Sequence, residues 1–155
     1  MSQGNWKPGT LLRRSLPDGF TYYARLLEAP FAAFYAERTP EPVEDPRQIV
    51  EAPVLFTVPV HKSLLGEGGW EPVAALPADP SLRPPLLFRQ DILEPSSCTI
   101  VDPEGNEREA TPEECEGLEA EAVWEPEHVD DRLMDHFAGR PNPWLADLEL
   151  RRPSR

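Results

Sequence analysis

Residues 11–27 read LLRRSLPDGFTYYARLL, which is two runs of strand-forming residues on either side of a turn. The turn signal is Leu16-Pro17-Asp18-Gly19, in which the glycine can take a positive φ. From Phe20 to Leu27, apolar side chains alternate with mixed ones, and this is the pattern of a half-buried antiparallel strand. The stretch therefore predicts a β-hairpin that opens a meander of strands.

Further strands are predicted after the hairpin. Residues 31–36 form a run rich in aromatic side chains, and residues 54–60 are the most hydrophobic strand candidate in the chain. Because Pro59 cannot donate a hydrogen bond to a neighbouring strand, the second of these is predicted to end near there or to lie at a sheet edge. Shorter apolar runs follow at residues 70–76, 86–89 and 98–101, the last leading into a β-turn at 102–105.

Three short helices are predicted, near residues 46–52, 112–117 and 126–138, and each has a proline at its start. The sharpest signal is Thr111-Pro112-Glu113-Glu114, where threonine is the N-cap and Glu114 completes a capping box. Gly139 is expected to end the last helix. Between the last two helices, alternating side chains over residues 118–125 predict a strand with three carboxylates on its outer side.

These elements predict an α+β, β-rich class. We expect a single domain over residues 1–139, with a twisted antiparallel sheet of about six to eight short strands and two or three short helices. A chain of 155 residues suits one such domain. Residues 140–155 are a C-terminal tail that either docks as a short helix or frays.

The charge of the chain is concentrated in one segment. The formal net charge is −13, and residues 102–131 alone hold 13 carboxylates against one basic residue, Arg108. The rest of the chain is close to neutral. Because these acids fall among helix and strand signals, we expect one folded acidic sector that could dock a cationic partner. The plain alternative is a solvated face that only keeps the protein soluble.

Charge and hydropathy exclude several classes of partner. DNA and anionic lipid both reward positive charge, so neither nucleic acid nor a membrane is expected as a direct ligand. No apolar run approaches the roughly 18 residues of a membrane span, and the residues that follow Met1 show no hydrophobic signal region. We therefore expect a cytoplasmic protein whose partners are cations, basic proteins or neutral molecules.

No constellation of catalytic or metal-binding residues is visible. The histidines never stand at the i, i+4 spacing that places two imidazoles on one helix face, and Cys98 and Cys115 lie 17 residues apart. That spacing excludes a Cys-x-x-Cys pair. Reduced thiols are favoured, and a single disulfide between the two cysteines is the alternative. Serine-hydrolase, phosphate-loop and dinucleotide motifs are missing. The sequence therefore predicts a protein that is not an enzyme and uses no cofactor or metal. The alternative is an enzyme whose catalytic carboxylates form no recognisable motif.

Several aromatic and glycine motifs occur along the chain in an order that is typical of one protein family. The N-terminal motifs are Trp6-Lys7-Pro8-Gly9, the strand from Gly19 to Leu27, Phe34-Tyr35, Val54-Leu55-Phe56, Trp70 and Phe88-Arg89-Gln90-Asp91. The C-terminal motifs are the segment from Ala110 to Glu119, Trp124 and the segment from His128 to Leu133. In order and spacing, the chain resembles the immunity protein 26 family of bacterial polymorphic-toxin systems over roughly residues 6–138. The resemblance implies a β-rich, non-enzymatic cytoplasmic protein that binds and neutralises a cognate toxin.

Two main interpretations follow. The first is an immunity protein that inhibits by stoichiometric binding and docks a basic toxin on its acidic sector. The second is a small adaptor domain without a toxin partner, which holds a peptide on a sheet edge or a Pro-rich loop. If the acids only solubilise, an aromatic patch around Trp70, Trp124 or Trp144 would be the interface. The candidate partner-binding carboxylates are Glu113, Glu114, Glu116, Glu119, Glu121, Glu125, Glu127, Asp130 and Asp131.

Overall fold

The computed structural model describes residues 6–151, and within them the chain forms nine strands and four α-helices. The strands are β1 (Leu11–Ser15), β2 (Thr21–Leu26), β3 (Phe31–Thr39), β4 (Val54–Pro59), β5 (Glu71–Ala74), β6 (Leu87–Gln90), β7 (Cys98–Val101), β8 (Glu107–Ala110) and β9 (Glu119–Ala120). The helices are α1 (Arg47–Val50), α2 (Pro112–Cys115), α3 (Pro126–Ala138) and α4 (Pro143–Asp147). The predicted α+β, β-rich class is confirmed.

The strands belong to two sheets in two structural units. The first unit comprises residues 6–84 and 123–140, and the second comprises residues 85–122 and 141–151. The sequence predicted one sheet, but the segment between β5 and β6 contains Pro77, Pro80, Pro84 and Pro85. Because proline has no N–H to donate, such a segment cannot continue a ladder of strands.

The sheet of the first unit has the order β4-β3-β2-β1-β5, and every neighbouring pair in it is antiparallel. Strands β1, β2 and β3 follow one another as a meander, as the hairpin signal around Gly19 predicted. Strand β4 lies at one edge of the sheet and ends at Pro59. The edge position inferred from that proline is confirmed.

Both faces of β2 are buried, so the half-buried strand predicted from residues 20–27 is wrong. On one face, Tyr23 packs with Leu11, Tyr35 and Ile49 of α1. On the other face, Tyr22 stacks edge to face on Phe137 of α3, with ring centroids 5.8 Å apart. Alternation of apolar and mixed residues predicts a strand with only one face covered. The prediction fails because helices cover this sheet on both faces.

Arg25 shows how the mixed face of β2 tolerates burial. The side chain is 5% exposed, yet its Nε donates to the carbonyl oxygen of Gly9 at 2.6 Å and its Nη2 to that of Pro77 at 2.9 Å. A buried guanidinium is acceptable when its donors are used in this way. The cation therefore ties β2 to two flanking loop segments.

The second unit contains a mixed sheet of order β8-β7-β6-β9, in which only the β6–β9 pair is parallel. One face of this sheet carries the core of the unit. That core consists of Phe88, Cys98, Ile100 and Cys115, with Leu150 packed against it. Both cysteines are buried free thiols.

The C-terminal elements agree in part with the sequence. Helix α3 occupies exactly the predicted residues 126–138, and Gly139 caps it with a φ of +70°. The strand predicted over residues 118–125 is wrong beyond Ala120, because Trp124 instead forms a bridge to Val60 in the first unit. Within the described part of the tail, α4 forms and Arg151 hydrogen-bonds to Gln90.

Candidate partner-binding surface

The acidic sector is divided between the two units. Residues 102–121 lie in the second unit, and residues 125–131 lie in the first. By sequence, residues 85–122 and 141–151 of the second unit hold 13 acidic and three basic side chains, which is a net charge of −10 within the chain's −13. The smaller unit is therefore much the more acidic per residue.

The pairing of strands in the second unit groups five charged side chains on one sheet face. Register places Arg89 opposite Thr99 of β7, and Thr99 opposite Glu109 of β8. Leu87 of β6 pairs directly with Glu119 of β9. On its other side, Leu87 pairs with a β7 residue that in turn pairs with Glu107 of β8. Because every second residue of a strand points to the same face, these side chains lie on the face opposite the core. We call the set Arg89, Glu107, Glu109, Glu119 and Glu121 the acidic sheet face.

Arg89 lies at the centre of the acidic sheet face. Its Nη2 and Nη1 donate to the two carboxylate oxygens of Glu107 at 3.0 and 3.4 Å, and its Nε donates to Glu121 Oε1 at 2.8 Å. The guanidinium lowers the pKa of Glu107, chiefly through these hydrogen bonds. All three side chains are substantially exposed to water, so the pairs add little to stability. Four carboxylates around one guanidinium leave this face with a net charge of −3.

Helix α2 presents a second acidic group in the same unit. Glu113, Glu114 and Glu116 are all exposed. The predicted capping box is confirmed, since Glu114 N donates to Thr111 Oγ1 at 3.2 Å and Thr111 N donates to Glu114 Oε1 at 2.9 Å. That backbone hydrogen bond, with the Arg108 guanidinium 3.3 Å away, lowers the pKa of Glu114. Glu114 therefore has a structural role in capping α2.

The remaining candidates lie at the start of α3 in the first unit. Glu125 is the residue before the helix, and Glu125 and Glu127 are exposed, whereas Asp131 is partly buried. Asp130 is 8% exposed; its carboxylate accepts from Arg14 Nε at 2.9 Å and from Trp70 Nε1 at 3.1 Å. Burial raises the pKa of Asp130, against the opposing effect of Arg14. Its carboxylate is used inside the unit and not at the surface.

Sequence reasoning missed three members of the acidic sheet face: Arg89, Glu107 and Glu109. A signal was available, because Glu107, Arg108 and Glu109 alternate directly after the turn at residues 102–105. A turn followed by alternating side chains predicts the second strand of a hairpin, here β8. An edge strand rich in charge is also how proteins discourage pairing between sheet edges.

The described residues provide neither a metal-binding cluster nor a membrane-spanning helix. Within residues 6–151, no group of three or more His, Cys, Asp or Glu side chains is placed to hold a metal ion. Over the same residues, helices are too short and too polar to cross a lipid bilayer.

Residues 7–99 match the model of the family described as Immunity protein 26. The chain belongs to this family. The match spans β1 to β6 and the start of β7, whereas the C-terminal motifs between Ala110 and Leu133 lie outside it. Membership supports an immunity role in general, which implies a toxin protein as partner, in a family whose members are generally non-catalytic. No curated protein and no solved structure matches the chain.

Proposed function

We propose that this protein neutralises a cognate bacterial toxin in the cytoplasm by stoichiometric, non-catalytic binding, and that its exposed carboxylates make the contact. The acidic sheet face carries the proposal. It brings four carboxylates, two from β8 and two from β9 and the residue after it, onto one surface with a single guanidinium from β6. Exposed Glu113 and Glu116 extend the negative charge of the same unit.

Electrostatics explains why such a surface suits an inhibitor. A toxin domain that attacks nucleic acid needs a basic surface to bind its substrate. A concentrated negative surface accelerates encounter with that domain and covers the surface the substrate would use. Neutralisation then needs only occupancy, so no reacting group is required on this chain.

The acids at the start of α3 are a secondary part of the proposal. Glu125 is the N-cap and Glu127 lies in the first turn, where carboxylates interact favourably with the helix dipole, and partly buried Asp131 lies in the next turn. We therefore expect charge reversal at these positions to affect both helix stability and binding. Asp130 is left out of the proposed contact because it is buried.

The decisive experiment reverses charge in the second unit. The variant Glu109→Lys/Glu113→Lys/Glu116→Lys spares Glu114 and Glu107, which make the capping and Arg89 contacts. Its matched control, Glu41→Lys/Glu44→Lys/Glu67→Lys, makes the same change of net charge at exposed positions of the first unit. The binding partner is the toxin domain encoded beside this gene, prepared as an inactive variant.

Wild-type protein should bind this toxin domain at one-to-one stoichiometry and rescue growth when the two are co-expressed. The second-unit variant should associate about ten- to a hundredfold more slowly at low salt, with a shallower dependence on salt, and the control should change much less. Equal affinity of wild type and second-unit variant would remove the acidic surface from the proposal. Growth rescue without physical association would refute inhibition by binding.

A further inference from the structure

The loop between β6 and β7 exposes two adjacent large apolar side chains. Ile92 is 82% and Leu93 is 93% exposed to solvent. Single exposed apolar residues are common on protein surfaces and need no explanation. Two neighbouring ones at the tip of a loop are a different case, particularly when the backbone that carries them is firmly held.

The backbone of this loop is held by its first residue. Asp91 Oδ1 accepts from the backbone N–H of Leu93 at 2.8 Å and of Glu94 at 2.9 Å. The backbone N–H of Asp91 donates to the carbonyl oxygen of Ser97 at 3.0 Å, which closes the loop. The turn therefore has a defined conformation with its apolar side chains pointing into water.

The C-terminal segment braces the same loop. Arg151 donates from Nη2 to the carbonyl oxygen of Asp91 at 2.6 Å and from Nη1 to that of Ile92 at 3.1 Å. Gln90 Nε2 donates to the carbonyl oxygen of Pro95 at 2.7 Å, and Gln90 Oε1 accepts from Arg151 N at 2.8 Å. A loop fixed in this way loses little conformational entropy when a partner binds it.

The charges around the loop indicate the kind of partner. Asp91 and Glu94 flank the two apolar residues, against one cation on the loop backbone, Arg151; the acidic sheet face, with its net charge of −3, begins two residues before Asp91. The described residues of the unit that carries the loop have a net charge of −10 by sequence. A second copy of the chain would bring the same negative charge to the contact and be repelled. A partner with basic residues around an apolar pocket would be complementary.

We propose that Ile92 and Leu93 are the apolar anchor that inserts into a pocket, rimmed by basic residues, on the toxin protein. The inference rests on the proposed function and adds a second component to the same interface. Rigid apolar side chains that fill a partner pocket act as hot spots, and they govern dissociation more than encounter. The carboxylates govern encounter, so the two components have different kinetic signatures.

The test is the variant Ile92→Ser/Leu93→Ser, measured against the same inactive toxin domain. We expect dissociation at least about tenfold faster than for wild type, with an unchanged association rate and unchanged salt dependence. The control is Val123→Ser, which removes a 59% exposed apolar side chain from the first unit and should leave dissociation unchanged. Thermal unfolding of the double variant should match wild type, because the replaced side chains are solvent-exposed.

A second variant tests the brace and keeps the anchor. Arg151→Ala removes the hydrogen bonds to the carbonyl oxygens of Asp91 and Ile92. It should weaken binding by a smaller factor than the double variant, since the anchor is present but less well ordered.

Unchanged dissociation in Ile92→Ser/Leu93→Ser, while the charge-reversal variant still slows association, would overturn the anchor and leave the proposed function standing. Failure of wild-type protein to bind the toxin domain at all would overturn both. A faster dissociation that is matched by Val123→Ser would also count against an anchor at this loop.

Discussion

Trp70 donates its indole N–H to Asp130 Oδ1 at 3.1 Å, although the two residues are 60 positions apart in the chain. Both are buried, and Arg14 of β1 completes the arrangement by donating to Asp130 Oδ2 at 2.9 Å. The carboxylate thus links α3 to residues at two neighbouring strands of the sheet. A carboxylate that is nearly fully buried needs such partners to offset its desolvation.

Replacement of Asp130 by alanine should therefore destabilise the protein by about 3 kcal/mol. The change leaves Arg14 without its counter-charge and the Trp70 N–H without an acceptor. Urea unfolding followed by tryptophan fluorescence measures the loss. The matched change Glu127→Ala, at an exposed position of the same helix, should cost about 0.5 kcal/mol. Similar losses of unfolding free energy in the two variants would show that the buried contacts of Asp130 add no more stability than an exposed carboxylate does.

Two glycines with positive φ give a matched test of close packing. At Gly9 (φ +98°) an added Cβ would overlap the carbonyl oxygen of Leu76, whereas at Gly19 (φ +87°) nothing lies within 4 Å. Gly19→Ala should cost about 1 kcal/mol from backbone strain alone. Gly9→Ala should cost more than about 3 kcal/mol, because it also displaces backbone that Arg25 binds. Equal thermal shifts in the two variants would contradict the close approach.

The buried thiols should be unreactive in the folded protein. Burial, reinforced by Cys98, raises the pKa of Cys115 to about 11. Only the thiolate reacts readily, so at pH 8 Cys115 would be almost entirely in the unreactive thiol form even if reagent could reach it. Mass spectrometry after iodoacetamide treatment should find Cys115 unmodified in native protein and alkylated in urea. Rapid native alkylation at Cys115 would show that the core of the second unit opens.

The capping box makes a prediction about pH. The folded-state pKa of Glu114 is lowered, so its stabilisation is present above the unfolded-state pKa and is lost as pH falls through the folded-state pKa. Glu114→Gln should unfold at a lower temperature than wild type at pH 7. The difference should shrink as pH falls through the folded-state pKa and disappear once wild-type Glu114 is protonated as well. A difference in unfolding temperature that is independent of pH would mean that the negative charge of Glu114 does not contribute to stability.

Features that depend on near neighbours were predictable from the sequence. The capping box at Thr111, the proline that starts α3 and Gly139 at its end each involve residues within one helical turn. Local hydrogen bonds and local backbone preferences are sufficient to specify such elements. For the same reason Pro59 indicated an edge strand correctly, since a missing N–H is a property of the residue itself.

Features that depend on pairing between distant segments were decided by the tertiary structure. Arg89 meets Glu107 and Glu121 because of strand register, at separations of 18 and 32 residues. Asp130 looks in sequence like one more surface acid beside Asp131, yet packing against Arg14 and Trp70 buries it. The sequence alone established how acidic the molecule is and where along the chain the acids fall. Contacts between distant segments decide which carboxylates share a surface and which one is buried away from it. No local pattern encodes these contacts, because burial depends on what folds over a residue.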